Sequence, residues 1–397
     1  MKRLLWIVEK EFDIAPDVTT WIEVARALQD KLDVFIITGF NRNRKQFSQL
    51  RNEVIYLDSI KIPYFNRFST HLTQLRNIKT LISRFSPDIV LLNTSNFFLS
   101  LRLKALSRIH RFRVFLDVRT LPLASNELNL FMENQLFKTN LRIASDRLDG
   151  ISYITEEMKR YCKKTFCLSS HYSGTWSSGV NIQLFKPAHA FRYNETLQLI
   201  YHGSISVNRG LEELVETIAI CRQNNINVNL TFLGGGNAVE RLKQKVDNHN
   251  LTQAIFFLGQ VPQEQVPSYI ANADLGVIPL PNRPSWNTSS PIKLFEYLAS
   301  GKPVILTKIP AHTNVIGGRS FAFWVDDTTP TAIAKTINEV SKQRGRLPLL
   351  QDVARVFAVE NCSWEKQADR LFRFLTEVRD DPLRNTVIGD AEDTLVE

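Results

Sequence analysis

The sequence predicts an α/β protein built from two doubly wound, Rossmann-like domains in tandem, facing each other across an interdomain cleft. Three observations carry this. The chain has 397 residues, more than one hydrophobic core normally organises. From its start, short apolar runs alternate with helix-length segments, the rhythm of a parallel sheet covered on both faces. That rhythm breaks once, across residues 176–187, and begins again at Leu197.

In the first series, strands are expected at residues 4–8, 34–37, 54–57, 89–92, 114–116 and 151–153, with helices at 20–30, 70–85 and 98–109. Ser86-Pro87-Asp88 ends a helix before a buried strand, because a residue preceding proline is pushed out of the helical region. In the second series the strands are LQLIYHG from Leu197, VNLTFLG from Val228, AIFFLG from Ala254, LGVIPL from Leu275 and KPVILT from Lys302. Helices are expected at 211–223, 238–248, 266–271, 293–300 and 332–342. Gly179 and Pro187 bracket the break, and a polar run follows. The expected division is therefore residues 1–187, residues 188–363, a helix at 364–380 crossing back to the first domain, and an acidic disordered tail at 381–397.

Composition excludes several classes. At 44% hydrophobic and 22% charged residues the chain reads as globular rather than disordered or fibrous. No apolar run approaches the roughly 20 residues that span a bilayer. The opening MKRLLWIVEK is too short in its apolar part, and lacks the small-residue site, for a signal peptide, so it is read as the first strand. Cys162, Cys167, Cys221 and Cys362 form no CxxC pair, and the seven histidines show no ligand spacing near them. No metal site is expected, and the thiols are read as reduced in a cytoplasmic protein.

The net charge of +9 is uneven. Residues 61–113 hold ten cations: Lys61, Arg67, Arg76, Lys79, Arg84, Arg102, Lys104, Arg108, Arg111 and Arg113, with Asp88 the only acid. The tail is acidic. A basic surface of this kind suits an anionic membrane face, an anionic acceptor or merely a solvated helix face. No nucleic-acid reading motif accompanies it, so nucleic acid is not an expected partner.

The chemistry is expected at the carboxyl ends of the second domain's strands, where doubly wound sheets bind ligands. Gly203 closes one strand, and Ser204 leads to Arg209-Gly210 at a helix start, where free N–H groups and a guanidinium suit phosphate. Gly234, Gly235 and Gly236 follow the next strand, in a turn that serves either close ligand approach or backbone geometry alone. The stretch from Ser289 to Val304, SSPIKLFEYLASGKPV, is the most informative. Lys293 and Glu296 lie three apart on one helix face. A carboxylate there can accept from a ribose diol, and Lys293 can hold a diphosphate. An ordinary surface ion pair is the plain alternative.

These motifs resemble the GT4 family of retaining glycosyltransferases, in its SPxKxFEY-type branch. The resemblance rests on Gly203 with Arg209-Gly210, FLGGG at 232–236, FFLGQVPQEQVPSYIANADLGVIP at 256–279, SSPIKLFEYLASGKPVI at 289–305, GVNIQLFKP at 179–187 and SWEKQADRL at 363–371. It covers roughly residues 150–375. The first domain agrees only in outline.

The resemblance implies a GT-B fold and metal-independent transfer from a nucleotide diphospho-sugar, with no cofactor. It implies donor contacts at Gly203, Ser204, Arg209, Gly234, Gly235, Gly259, Val261, Ser289, Ser290, Ile292, Lys293 and Glu296. Arg209, Lys293, Glu296 and Arg119 would serve catalysis, and Asp17, Asp117 and Arg119 the acceptor side, with a purely structural Asp117–Arg119 pair as the plain alternative. The chain departs from the family at five places, two of them being SSPI, with Pro291 lacking an N–H, where a Gly-rich stretch precedes the helix, and Arg119-Thr120 where a His-Asp is usual. Thr288 stands where the first Glu of the EX7E motif belongs, Ser204 where a diphosphate Arg is customary, and the loop EFDIAPDVTT has no glycine. The implied acceptor is a glycan or lipid-linked glycan of cell-surface polysaccharide synthesis. The implied location is the cytoplasm, peripherally on the inner face of the plasma membrane. A sugar-nucleotide-binding scaffold and a GT-B sugar-nucleotide epimerase stay open as alternatives.

Overall fold

The structure, a computed structural model, describes residues 1–9, 12, 18–39, 47–57, 66–93, 96–122, 127–169, 171–187 and 195–377, with only the backbone at 66–68. It divides into two compact units, Met1–Ser177 with Trp364–Glu397, and Ser178–Ser363.

The first unit is built on a seven-stranded sheet: β1 (Lys2–Val8), β2 (Leu32–Thr38), β3 (Ile55–Tyr56), β4 (Ile89–Asn93), β5 (Arg113–Val118), β6 (Gly150–Tyr153) and β7 (Ser173–Thr175). Their order is β3-β2-β1-β4-β5-β6-β7, and every pairing is parallel. Leu4 to Val8 are buried throughout, as a central strand covered on both faces requires. The helices are α1 (Val18–Leu28), α2 (Asn66–Phe85), α3 (Phe97–His110), α4 (Glu127–Arg147) and α5 (Glu156–Phe166). α5 shows why such segments become helices. Thr155 Oγ1 accepts from Met158 N at 3.0 Å, Glu156 and Glu157 occupy the positive first turn, and Lys163 and Lys164 the last.

The second unit carries β8 (Leu197–His202), β9 (Val228–Leu233), β10 (Ile255–Phe257), β11 (Leu275–Ile278), β12 (Val304–Thr307) and β13 (Ala322–Val325). They lie in the order β10-β9-β8-β11-β12-β13, again all parallel. The helices are α6 (Leu211–Gln223), α7 (Val239–Asn248), α8 (Val266–Ala271), α9 (Pro284–Asn287), α10 (Ile292–Ala299), α11 (Pro310–Ile316), α12 (Pro330–Lys342) and α13 (Leu347–Asn361). The strand order reverses between β8 and β11. In such sheets a crevice opens beyond the carboxyl ends of those two strands.

The last helix, α14 (Trp364–Thr376), packs against α1 and β7 of the first unit. Phe374 stacks on Tyr172 at 5.0 Å, and Arg26 pairs with Glu365 at 3.0 Å. Gly174 makes room for this helix, since a Cβ there would stand 2.6 Å from the Phe374 ring.

The first change of unit falls at Ser177/Ser178, ten residues before the division expected at 187/188. The segment 178–187 belongs with the second unit for clear reasons. Val180 N donates to Cys362 O at 2.8 Å, and Phe185 is buried in the second core. Arg355 donates to the carbonyls of Phe185, Ala299 and Ile182 at 2.7, 2.7 and 3.0 Å. The tail at 381–397 lies outside the described residues.

Candidate functional site

The end of β8 and the start of α10 meet in the second unit. α10 is held there by Tyr297, whose hydroxyl donates to Ile200 O at 3.1 Å and accepts from His202 N at 3.0 Å. Gly276 in β11 gives the Tyr297 ring its space, because a Cβ would lie 2.2 Å from it. With that ring fixed, Lys293 and Glu296 are presented on the side facing Gly203.

Lys293 is the unusual residue. Its Nζ is buried and finds no hydrogen-bond partner, although the residue as a whole is only half-buried. The ammonium sits 3.7 Å from the centroid of the Tyr201 ring, a cation–π contact. Burial, with the nearby Arg209 charge, pushes its pKa well below the usual lysine range; Glu296 opposes this. A Cβ on Gly203 would stand 3.6 Å from Lys293 Nζ. Gly203 itself is exposed with φ +102°, so the backbone beside this cation is open to a ligand.

Arg209 approaches from the turn after β8. Its Nε donates to Ser206 Oγ at 2.7 Å, and Ser206 Oγ lies 3.2 Å from Ser204 Oγ. The guanidinium stacks 4.7 Å from the Trp286 ring centroid. The conformation of this turn depends on Gly210, with φ +74° and a would-be Cβ 2.0 Å from Pro279 O. Gly203, Ser204, Arg209, Lys293 and Glu296 are thus assembled in one place from two stretches of sequence.

One residue here was missed in the sequence. His202 is buried, and its Nε2 stands 3.1 Å from Glu296 Oε2, although that oxygen lies off the line of a ring N–H hydrogen bond. Its ring meets Tyr297 edge-on at 4.9 Å. Only its position, directly before Gly203 at a strand end, could have signalled it.

The other candidate residues are placed differently. Gly234 and Gly236 have φ of +138° and +152°, and their would-be Cβ atoms lie 2.0 Å from Gly203 O and 2.3 Å from Ile205 O. This turn packs backbone on backbone, with Ile205 N donating to Gly235 O and Gly234 N to Gly259 O, both at 2.8 Å. Gly259 is open, with nothing near its Cβ position, and Val261 packs on the core. Ser289 Oγ donates to Trp286 O at 2.8 Å. Ser290 is buried against Ser178, accepting from its N–H at 3.2 Å. Ile292 is half-buried at the head of α10. Thr288 is buried, its hydroxyl donating to Pro284 O at 2.9 Å.

In the first unit Asp117 and Arg119 both engage Trp176. Asp117 Oδ1 accepts from Trp176 Nε1 at 2.9 Å and Ser152 Oγ at 2.7 Å, while Oδ2 is buried without a partner. Burial raises its carboxyl pKa to about 6, against the opposing pull of Arg119 and the two hydrogen bonds. Arg119 is buried, donates to Trp176 O at 2.9 Å and lies 3.7 Å over the indole. The pair therefore holds a tryptophan in place rather than standing open to solvent. Asp17 lies outside the described residues. Among the described residues no cluster of three His, Cys, Asp or Glu suits a metal ion, and no helix is long and apolar enough to cross a membrane.

The family model described as Glycosyl transferases group 1 matches residues 185–355, a span that holds the whole cluster from Gly203 to Glu296. A GDP-mannose-dependent alpha-(1-6)-phosphatidylinositol monomannoside mannosyltransferase of Mycolicibacterium smegmatis is 23% identical over 43% of this chain and 46% of its own length. The chain spans about half or less of the length of the curated relatives it matches, from 14% to 54%. Among solved structures, the sucrose-phosphate synthase of Thermosynechococcus elongatus superposes with a TM-score of 0.77 at 17% identity, covering 96% of this chain and 100% of that one. Anabaena HepE, in complex with UDP and glucose, gives 0.74 at 13% identity, over 94% and 98%. These likenesses show the fold, which is the α/β, two-domain GT-B fold.

Proposed function

We propose that this chain is a retaining glycosyltransferase that moves a sugar from a nucleotide diphospho-sugar to a hydroxyl of a glycan or lipid-linked acceptor. The observation that carries this is the buried, unpartnered Lys293 ammonium beside an exposed glycine backbone, with Arg209 and Glu296 next to it. A buried cation with no hydrogen-bond partner is costly, and Glu296 offsets only part of the burial and of the Arg209 repulsion. An anion seated between Gly203 and Lys293 would accept from that ammonium and supply the missing negative charge. A diphosphate has the charge, and Glu296 can accept from the adjoining ribose hydroxyls. The group 1 family match, and the nucleotide-sugar dependence and UDP complexes in the names of similar proteins, support the reading.

In the proposed reaction, the bond from the anomeric carbon to the diphosphate oxygen breaks and a bond to the acceptor oxygen forms on the same face. The acceptor proton passes to the leaving diphosphate. Lys293 and Arg209 neutralise the charge that develops on it, the kind of preorganised electrostatic help that contributes most to such steps. A second reading, a sugar-nucleotide-binding protein without turnover, is favoured by one observation: Asp117 and Arg119 are committed to Trp176.

The test is a thermal-shift screen with UDP-glucose, GDP-mannose and ADP-glucose, followed by proton NMR of the stabilising donor with the protein. One nucleotide should stabilise by about 2.7 kcal/mol at a hundredfold excess over its Kd. Transfer or slow hydrolysis to the nucleoside diphosphate supports the transferase. An isomerised donor would point to the epimerase, an unchanged donor to the binding protein, and no stabilisation by any nucleotide would remove the donor site.

A further inference from the structure

We propose that the face formed by α2, α3 and α4 docks on an anionic lipid bilayer, with the apolar ridge of α4 entering the interface between the headgroups. α3 packs against both α2 and α4, so the three helices lie side by side in the first unit. Their outward residues are not those of an ordinary solvated surface. Phe98 and Ile109 of α3 and Leu128, Phe131 and Met132 of α4 are each more than half exposed, and Leu72 and Leu136 are exposed as well. On α4, residues 128, 131, 132 and 136 recur at helical spacing, so the four side chains form one stripe. Within the span 128–136 only the uncharged Gln135 shares that face; Thr139 and then the exposed Arg142 and Asp146 continue it toward the end of the helix.

The same face carries positive charge. Arg76, Lys79, Arg84, Arg102, Arg108 and Arg111 are all exposed. None of these six has a carboxylate partner among the described residues; Lys104, by contrast, pairs with Asp149 at 3.3 Å. Exposed apolar groups rimmed by unpaired cations are the composition that binds interfacially, with apolar insertion and attraction to anionic lipid adding together. A second copy of this chain is a poor occupant, because two such faces would set like charges against each other. With no helix able to span a bilayer among the described residues, the attachment is peripheral. All of these residues belong to the first unit, so docking stands or falls independently of the donor site.

The test is cosedimentation of the full chain with phosphatidylcholine vesicles, with and without phosphatidylglycerol, at low and high salt. Binding should rise about tenfold with the anionic lipid and fall with salt. Arg76→Gln, Arg102→Gln and Arg108→Gln together should remove that anionic preference. Phe131→Ser with Met132→Ser should weaken binding to anionic vesicles at both salts, while both variants keep the wild-type melting temperature. In a Phe131→Trp variant, indole emission should shift to the blue on adding anionic vesicles. Equal binding to both vesicle types, no binding at low salt, an unshifted indole, or ridge variants that bind as the wild type would each overturn the proposal. Self-association without lipid that Phe131→Ser with Met132→Ser abolishes would assign the face to a second copy instead.

Discussion

Asp117, which the sequence leaves open between an acceptor-side role and a structural pair, is buried in the fold. It sits in β5, near the carboxyl end where ligand-binding residues gather, yet Ser152 and Trp176 consume one oxygen and burial isolates the other. The cost has a measurable pH signature. The folded carboxyl titrates at about 6 rather than 3.8, so between those values the folded state holds more protons than the unfolded one. Stability from this group is therefore greatest below pH ~4 and is lost as pH rises through ~6, by about 3 kcal/mol in all. Asp117→Asn should remove that decline in urea denaturation at a series of pH values. A variant whose stability still falls in parallel with the wild type between those pH values would show that the carboxyl is not the source.

Residues also show what the sequence could not reveal. Lys293 and Glu296 were legible because a spacing of three on a helix fixes a shared face. His202 was not, because its meaning arises from β8 lying beside α10, a contact between positions some ninety residues apart in the chain. Arg119 and Trp176 are far apart in sequence for the same reason, and only the sheet brings them together.

At the scale of elements, most of the central strands with apolar runs were recognisable from periodicity, but β13, Ala322–Val325, and the helices α5 and α13 were not. α4 was not recognised, because much of its apolar content faces outward and blurs the pattern that marks a buried face. β7 was not recognised either: three residues, Ser-Gly-Thr, carry no hydrophobic signal, and the strand is defined by its parallel pairing with β6 and covered by α14. The glycine turn after β9 shows the opposite case, a motif plain in sequence whose purpose was ambiguous. Gly234→Ala places a Cβ against Gly203 O in a left-handed conformation and should destabilise by about 2–4 kcal/mol. Gly235→Ala meets only the flexible Gln260 side chain and should cost under about 1 kcal/mol. Equal and small losses in thermal unfolding would mean that this turn is not the backbone wedge described.

At the scale of the whole molecule, two parallel sheets on one chain give each unit its own switch point, but the convergent cations lie in the second. Its parallel, doubly wound sheet was implied by the alternation of strands and helices, whereas its strand order was not, and the point where the chain passes between units was displaced by ten residues. That displacement follows from Arg355, which ties the segment 178–187 to α13 and α10 through three carbonyls, a bond pattern with no local sequence mark. The central claim is that β8, its following turn and α10 hold a nucleotide diphosphate. Calorimetric titration of UDP and of GDP into the full chain, beside Glu296→Ala and Arg209→Ala, tests it most directly. One nucleotide should bind the wild type, and each variant should lose at least about tenfold in affinity, ~1.4 kcal/mol. The same affinity in the wild type and both variants would place the nucleotide elsewhere.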